Sequence, residues 1–150
     1  MTITFQVESY KDCMDEVKVH YPAHYDELSV TKTYPLDPDY DAYLQLDQQG
    51  FLKVVTCRKD GVLIGYIQFI VTKNLHYKTM VMAVEDIYYL IKEERKGRVG
   101  IELFKFAEQY LKSIGVHRIC YTTKVHLDNS SIFKYLGYSY IEKLYSKMIG

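Results

Sequence analysis

Between Thr79 and Thr123 the spacing of apolar residues changes in mid-course, and this change constrains the fold more than any other feature of the chain. Thr79 to Ile91 is a long β-branched and aromatic run of strand character. From Val99 the period becomes helical, with Val99, Leu103, Phe106, Ala107, Tyr110, Leu111 and Ile114 on one face and Gly115 as the stop. Val116 to Thr123 reads as a further strand. Strand, helix and strand in such short compass predict a right-handed crossover between parallel strands. The strand and the helix are joined by Glu94-Arg95-Lys96-Gly97-Arg98-Val99-Gly100. Backbone N–H groups at a helix start lack partners and lie at the positive end of the helix dipole. A glycine-bearing turn there, flanked by Lys96 and Arg98, is an anion site suited to a diphosphate.

The rest of the chain supplies a sheet and smaller helices. Thr2 to Val7 reads as a short strand, with Ile3, Phe5 and Val7 on one face. Ser9 offers an N-cap for a helix running to about His20, with Met14 and Val17 inward and Pro22 near its end. Val30 to Asp39, with Pro35 and Pro38, reads as a loop. Asp37 or Asp39 then caps a helix over Tyr40 to Gln48, closed by Gly50. Phe51 to Arg58 and Val62 to Val71 flank Lys59-Asp60-Gly61, a hairpin signal, and Asn74 to Tyr77 makes the next turn. Asp128 or Asn129 caps a short helix ending at Gly137, and Tyr138 to Met148 reads as one or two closing strands. The length fits a single domain over residues 1–150.

Charge and cysteine usage narrow the function classes. Lys plus Arg, 19, equals Asp plus Glu, 19, so bulk charge argues for neither a nucleic-acid nor a membrane partner. Cys13, Cys57 and Cys120 are odd in number and widely spaced, which points to a reducing, cytoplasmic setting. The N-terminus lacks the pattern of a signal peptide, and the apolar run at Val62 to Val71 is far too short for a membrane span. His20 and His24 have metal-like spacing with Glu27 nearby, but Pro22 is expected to break the helix that this spacing requires, so no metal site is assigned. Sixteen tyrosines suit half-buried sheet faces and cleft walls.

The element order, with the basic turn opening the central helix, resembles the GNAT superfamily of acetyl-CoA-dependent N-acetyltransferases. That family's signature, Arg/Gln-x-x-Gly-x-Gly/Ala, reads here as Arg95-Lys96-Gly97-Arg98-Val99-Gly100. The first Arg and last Gly match, whereas Arg98 stands at the middle glycine and Gly97 precedes it by one place. Leu136-Gly137-Tyr138 matches the family's downstream Gly-Phe/Tyr turn. More narrowly, Asp86-x-x-Tyr-Leu, Gly115-Val116-x-Arg118-Ile119, Lys124-x-His126-x-Asp128 and Tyr145-Ser-Lys147 look like the small members carried by bacteriophages.

The resemblance implies an α+β, three-layer fold, a mixed and mostly antiparallel sheet of about six to seven strands flanked by about four helices. It implies acetyl-CoA as co-substrate, with Arg95 opening the motif and the diphosphate on Lys96, Gly97, Arg98, Val99, Gly100 and Ile101. The pantetheine arm would run beside Tyr89, Leu90 and Ile91. It further implies direct transfer to an amine acceptor, a small molecule or a protein amine, in the cytoplasm (the host's, if phage-encoded), and it leaves a homodimer through closing-strand pairing open.

Two carboxylates, Glu85 and Asp86, interrupt the apolar run before the turn. On a regular strand they point to opposite faces, and Asp86 has the parity of Leu90. In the family the general-base carboxylate lies an even number of places before the strand-end residue that abuts the motif. The resemblance therefore implies Asp86 as general base or water-chain anchor and Glu85 as a structural or rim residue, although the family offset of six lands on Val84. The family's tyrosine acid corresponds to Phe133, which has no proton to give, and the family's asparagine corresponds to His126. Tyr135, Tyr138 or His126, the last with Asp128 as a proton shuttle, would then substitute, or the thiolate leaves unaided. A GNAT-fold binding protein that engages a host partner without turnover is the alternative reading.

Overall fold

The computed structural model describes residues 1–30 and 33–150. The elements run β1 (Ile3–Glu8), α1 (Tyr10–Leu28), α2 (Tyr40–Gln48), β2 (Leu52–Lys59), β3 (Val62–Lys73), β4 (Val81–Leu90), a 3-10 turn at Lys92–Glu94, α3 (Val99–Ser113), β5 (Arg118–Cys120) and α4 (Ser130–Tyr135). The strands form one sheet in the order β1-β2-β3-β4-β5. The first four pair antiparallel, and β5 lies parallel to β4 after the α3 crossover, as the period change predicts. This is the GNAT-like α+β architecture.

Local chemistry accounts for the elements. Ser9 caps α1 by accepting from the Asp12 N–H, and Asp39 caps α2 by accepting from the Ala42 N–H at 2.9 Å. Asp60 and Gly61, both at positive φ, turn the β2–β3 hairpin. The sheet separates two cores. On one face Val55, Ile67, Phe69 and Leu90 pack against Leu103, Phe104, Ala107 and Leu111 of α3. On the other, Leu52, Tyr66 and Tyr89 pack against Tyr10, Cys13, Val17 and Tyr21 of α1, with Met14 and the tyrosines of α2 joining at the margin.

Three expectations differ from the structure. First, α1 does not end near His20 but continues through Pro22 to Leu28. The proline ring is on the exposed side, while Tyr21 and His24 on either side of it are buried against the sheet and hold both halves of the helix in line. Second, β5 is shorter than Val116 to Thr123, because its pairing with β4 covers only Met82–Val84. Third, Tyr138 to Met148 forms no strand, so the sheet has five strands rather than six or seven. The expected loop from Val30 to Asp39 is neither helix nor strand where it is described, and residues 31 and 32 lie outside the described residues.

Candidate active site

The site is organised by a bulge in β4. Gln68 of β3 lies opposite Ile87 and the next residue, Phe69, lies opposite Glu85, so Asp86 is the extra residue. The bulge reverses the alternation of side chains along the strand. Ala83, before it, and Leu90, after it, both join the α3 core, while Ile87 and Tyr89 join the α1–α2 core. The expected shared face of Asp86 and Leu90 is therefore corrected. Asp86 turns to the α1–α2 side, where the Tyr43 hydroxyl donates to its carboxylate at 2.6 Å. Glu85, two places after Ala83, keeps that residue's face.

The second feature is a slot. Pairing between β4 and β5 stops at Val84 and Cys120, so from Glu85 to Leu90 the outer edge of β4 has no strand beside it among the described residues. At the end of β4 the Ile91 N–H points the other way, onto the Ile64 carbonyl of β3, while the Leu90 carbonyl accepts from Arg95 Nε at 2.6 Å. The same guanidinium grips both carboxylate oxygens of Glu27, at 2.9 and 3.0 Å, and lies 5.5 Å from the Tyr89 ring centre. Arg95 thus fastens the basic turn to the last turn of α1 and has little charge left for an anion.

The start of α3 is built as the sequence predicts. Its N-cap, Arg98, makes no side-chain cap bond, so the first N–H groups of the helix have no side-chain acceptor. Gly100 permits close packing, since a Cβ there would lie 3.3 Å from the Tyr88 hydroxyl and 3.7 Å from Leu90. Gly97 is different. A Cβ there would meet nothing within 4 Å, and its backbone is not left-handed, so neither packing nor conformation requires glycine. Bare, exposed backbone at this point suits the close approach of an anion. Lys96 and Arg98 are exposed beside it, Arg98 in contact with Glu102 and with the Tyr135 hydroxyl. Uncapped donors, an open glycine and two cations fit a diphosphate.

The carboxylates differ in character. Glu85 is half-buried, and loss of solvent raises its pKa to about 7, reinforced by the Asp86 charge and opposed by Lys124. Asp86 is also raised by desolvation, but the Tyr43 hydrogen bond pulls it back and solvent reaches it. The other candidates are elsewhere. His126 Nε2 donates to the Glu27 carbonyl at 2.8 Å, tying the loop after β5 to α1. Tyr135 rests on Arg98 at the anion end. Tyr138 donates to Glu108 at 3.0 Å on the outer side of α3. Phe133 lies in an aromatic cluster, stacked on Tyr121 at 5.0 Å. His20 and His24 flank the Tyr89 ring at 5.5 and 5.2 Å.

Tyr43 was missed in the sequence, and Glu27 was noticed there only for its nearness to His20 and His24, not as the partner of Arg95. Tyr40, Tyr43 and Leu44 share one helical face, a pattern that could have marked Tyr43 as inward. Nothing local marks Glu27, which meets Arg95 across 68 positions.

The pattern of the Acetyltransferase (GNAT) family matches residues 14–138. No curated protein sequence matches the chain. Among solved structures, a GCN5-related N-acetyltransferase from Ralstonia eutropha superposes with a TM-score of 0.79 at 14% identity, covering 99% of this chain and 100% of that one. An aminoglycoside acetyltransferase from an uncultured soil metagenomic sample gives 0.76 at 12% identity, covering 100% of both chains. A predicted acetyltransferase from Clostridium acetobutylicum, solved with acetyl-CoA, gives 0.68 at 13% identity, covering 98% of this chain and 96% of that one. At such identities these likenesses show the fold.

Proposed function

The chain belongs to the acetyltransferase (GNAT) family, and from that premise we propose that it moves an acetyl group from acetyl-CoA directly to an amine acceptor at the β4 bulge. The observation that carries this reading is the free edge of β4, which leads from the basic turn to a divided pair of carboxylates. Lys96, Gly97, Arg98, Val99, Gly100 and Ile101 present the N–H groups and charge for the diphosphate. Tyr89, Leu90 and Ile91 line the run of the pantetheine arm, and Arg95 acts as a positioning residue through Glu27. Acetyl-CoA supplies the thioester.

An alkyl ammonium has a pKa of about 10.4, so a nucleophilic amine requires a proton acceptor. Glu85, with its pKa near 7, is tuned to take that proton as the C–N bond forms. Asp86, open to solvent on the α1–α2 side, receives the incoming amine and is itself oriented by Tyr43. The bulge thus exchanges the roles expected from simple parity. The C–S bond breaks as the amide forms, and the thiolate takes its proton from solvent, because Phe133 has none and Tyr135, Tyr138 and His126 are engaged elsewhere. Solved relatives that act on aminoglycosides accord with a small amine acceptor. The resemblance to phage-borne members and a cytoplasmic location are part of the same proposal. Among the described residues no helix is long and apolar enough to cross a membrane.

Calorimetry with acetyl-CoA, followed by thiol release against a panel of amines including aminoglycosides, tests the reading. Glu85→Gln is expected to lower kcat by about 10²–10⁴ and to abolish an ascending pH limb near 7, with acetyl-CoA affinity unchanged. Asp86→Asn is expected to act mainly on the acceptor KM. Failure to bind acetyl-CoA would overturn the proposal. Binding without thiol release for any amine would establish the second reading, a GNAT-fold protein that holds the cofactor and engages a partner, which the proton-less Phe133 favours.

A further inference from the structure

Glu85 shares the α3 face of Ala83, and the next side chain in register with it on that face is Tyr121. Ala83 pairs with Ile119 and Val84 with Cys120, so Tyr121 follows just where the two strands part. Its ring stands edge-on at 5.8 Å to Phe69, the residue opposite Glu85 on β3. The Tyr121 hydroxyl is buried and makes no aligned hydrogen bond among the described residues. Burial raises its pKa, and Tyr138, Glu85 and Glu108 raise it further, so the hydroxyl lies within electrostatic reach of all three. Beyond it the Tyr138 ring packs edge-on at 5.4 Å, and the Tyr138 hydroxyl donates to Glu108 at 3.0 Å. Glu108 is exposed, in an open groove with Lys112 and His117. A line of exchangeable protons thus runs from a half-buried carboxylate to an exposed one.

Acetyl transfer to an alkyl amine gives such a line something to carry. At neutral pH the ammonium has three N–H protons, and the amide has one. Two protons therefore leave the nitrogen, whereas Glu85 holds one at a time. With pantetheine and acceptor in the slot, the open side of Glu85 is covered and the first proton has no direct way to solvent.

Resting on that reaction, we propose that Tyr121, Tyr138 and Glu108 form a proton exit that discharges Glu85 between the two losses. Protonated Glu85 gives its proton to the Tyr121 oxygen, across at most one water molecule. As it does so, Tyr121 passes its own proton to Tyr138, and Tyr138 passes its own to the Glu108 carboxylate. Each phenol gains one proton and loses one, so no phenolate forms, in keeping with the burial that disfavours it. Glu108 releases the proton into the groove, and rotation of the two hydroxyls resets the line. The three residues act through Glu85 and not on the substrate.

Tyr121→Phe keeps the ring and removes only a hydroxyl with no partner to lose, so the fold is expected to be at least as stable. For an alkyl amine kcat is expected to fall by at least about 10-fold, less than the 10²–10⁴ expected for loss of the base itself, with acetyl-CoA affinity unchanged. An amine already neutral at the assay pH has a single proton to shed, and for it kcat is expected to match the wild type. Tyr138→Phe is expected to show the same split. Equal losses on both amines, or none on either, would overturn the proposal. A measurement without substrates is carbon-13 NMR of the tyrosine Cζ atoms. The signals of Tyr121 and Tyr138 are expected to move together with one midpoint near 7 as Glu85 titrates. That step is expected to vanish in Glu85→Gln, a control that separates it from any contribution of His117 or Lys124. Signals that do not move would overturn the link whether or not the protein transfers acetyl groups. An intact step without thiol release from any amine would overturn acetyl transfer and leave the coupled chain of hydroxyls standing.

Discussion

The two faces of the sheet are held by different chemistry. On the α3 face the core is almost wholly hydrocarbon: Val55, Ile67, Phe69, Leu103, Phe104, Ala107 and Leu111. On the α1–α2 face it is built from phenols. Tyr10 and Tyr21 share a hydroxyl contact at 3.1 Å, Tyr21 donates to the buried amide oxygen of Gln68 at 2.8 Å, and His24 lies buried beside Tyr89. A hydrocarbon core resists changes of volume, whereas a phenolic core is sensitive to the loss of single hydrogen bonds. The dry face holds α3 and its N-terminal turn fixed against β4. The phenolic face gives polar groups a place to aim, and Tyr43 with Asp86 is where that aim reaches the surface.

The sharpest way to break this contrast is to remove volume from the dry face. Phe104→Ala is expected to destabilise the fold by about 3–5 kcal/mol in urea titration with an unchanged slope. A loss below about 1 kcal/mol would mean that the α3 core is not the rigid one. On the phenolic face acid is the sharper probe. Burial holds the His24 pKa at about 4, against 6.5 in the unfolded chain. The folded state binds fewer protons between these values, so this contribution is complete above pH 6.5 and is lost as pH falls towards 4, about 3 kcal/mol in all. Glu85 has the opposite sign. Its pKa is raised from 4.5 to about 7, so its contribution is present below 4.5 and disappears as pH rises through 7. Stability measured from pH 4 to 8 is expected to lose its acid limb in His24→Gln and its decline towards neutrality in Glu85→Gln.

Smaller still is Tyr21→Phe, which removes one hydroxyl from the chain between Tyr10 and Gln68. We expect a loss of about 1–2 kcal/mol by thermal denaturation, with no change in acetyl-CoA affinity. The smallest stability effect belongs to Gly97→Ala. With no neighbour for the new methyl group, the variant is expected to be stabilised by about 0.4–1 kcal/mol, yet to bind acetyl-CoA more weakly by calorimetry. Unchanged affinity would remove the close-approach argument for that glycine.

What was legible in the sequence follows the range of the interactions. The bounds of α2, the start of α3 and the parallel crossover rest on caps, glycines and periodicity, all written within a few residues. The basic turn was readable for the same reason. The bulge was not, because it depends on how Gln68 and Phe69 of β3 align with β4, and no local signal in Glu85-Asp86-Ile87 announces an extra residue. Parity reasoning is sound on a regular strand, and here it assigned Asp86 to the wrong face. Pro22 misled in the opposite direction, since helix propensity gives way when buried residues on both sides of a proline are anchored. The closing segment has strand-like composition, but composition alone does not form a strand without an edge to pair with.

Glu27 offers a last lesson about how separately its two contacts can be altered. Its carboxylate holds Arg95, and its carbonyl holds His126. A main-chain oxygen is present whatever residue occupies the position, so the link to the loop after β5 survives substitution. The link to the basic turn does not, since only an acid of that length can make it. One position thus encodes a fixed hinge pin and a replaceable latch. Sequence drift at residue 27 would release the basic turn while leaving the loop moored.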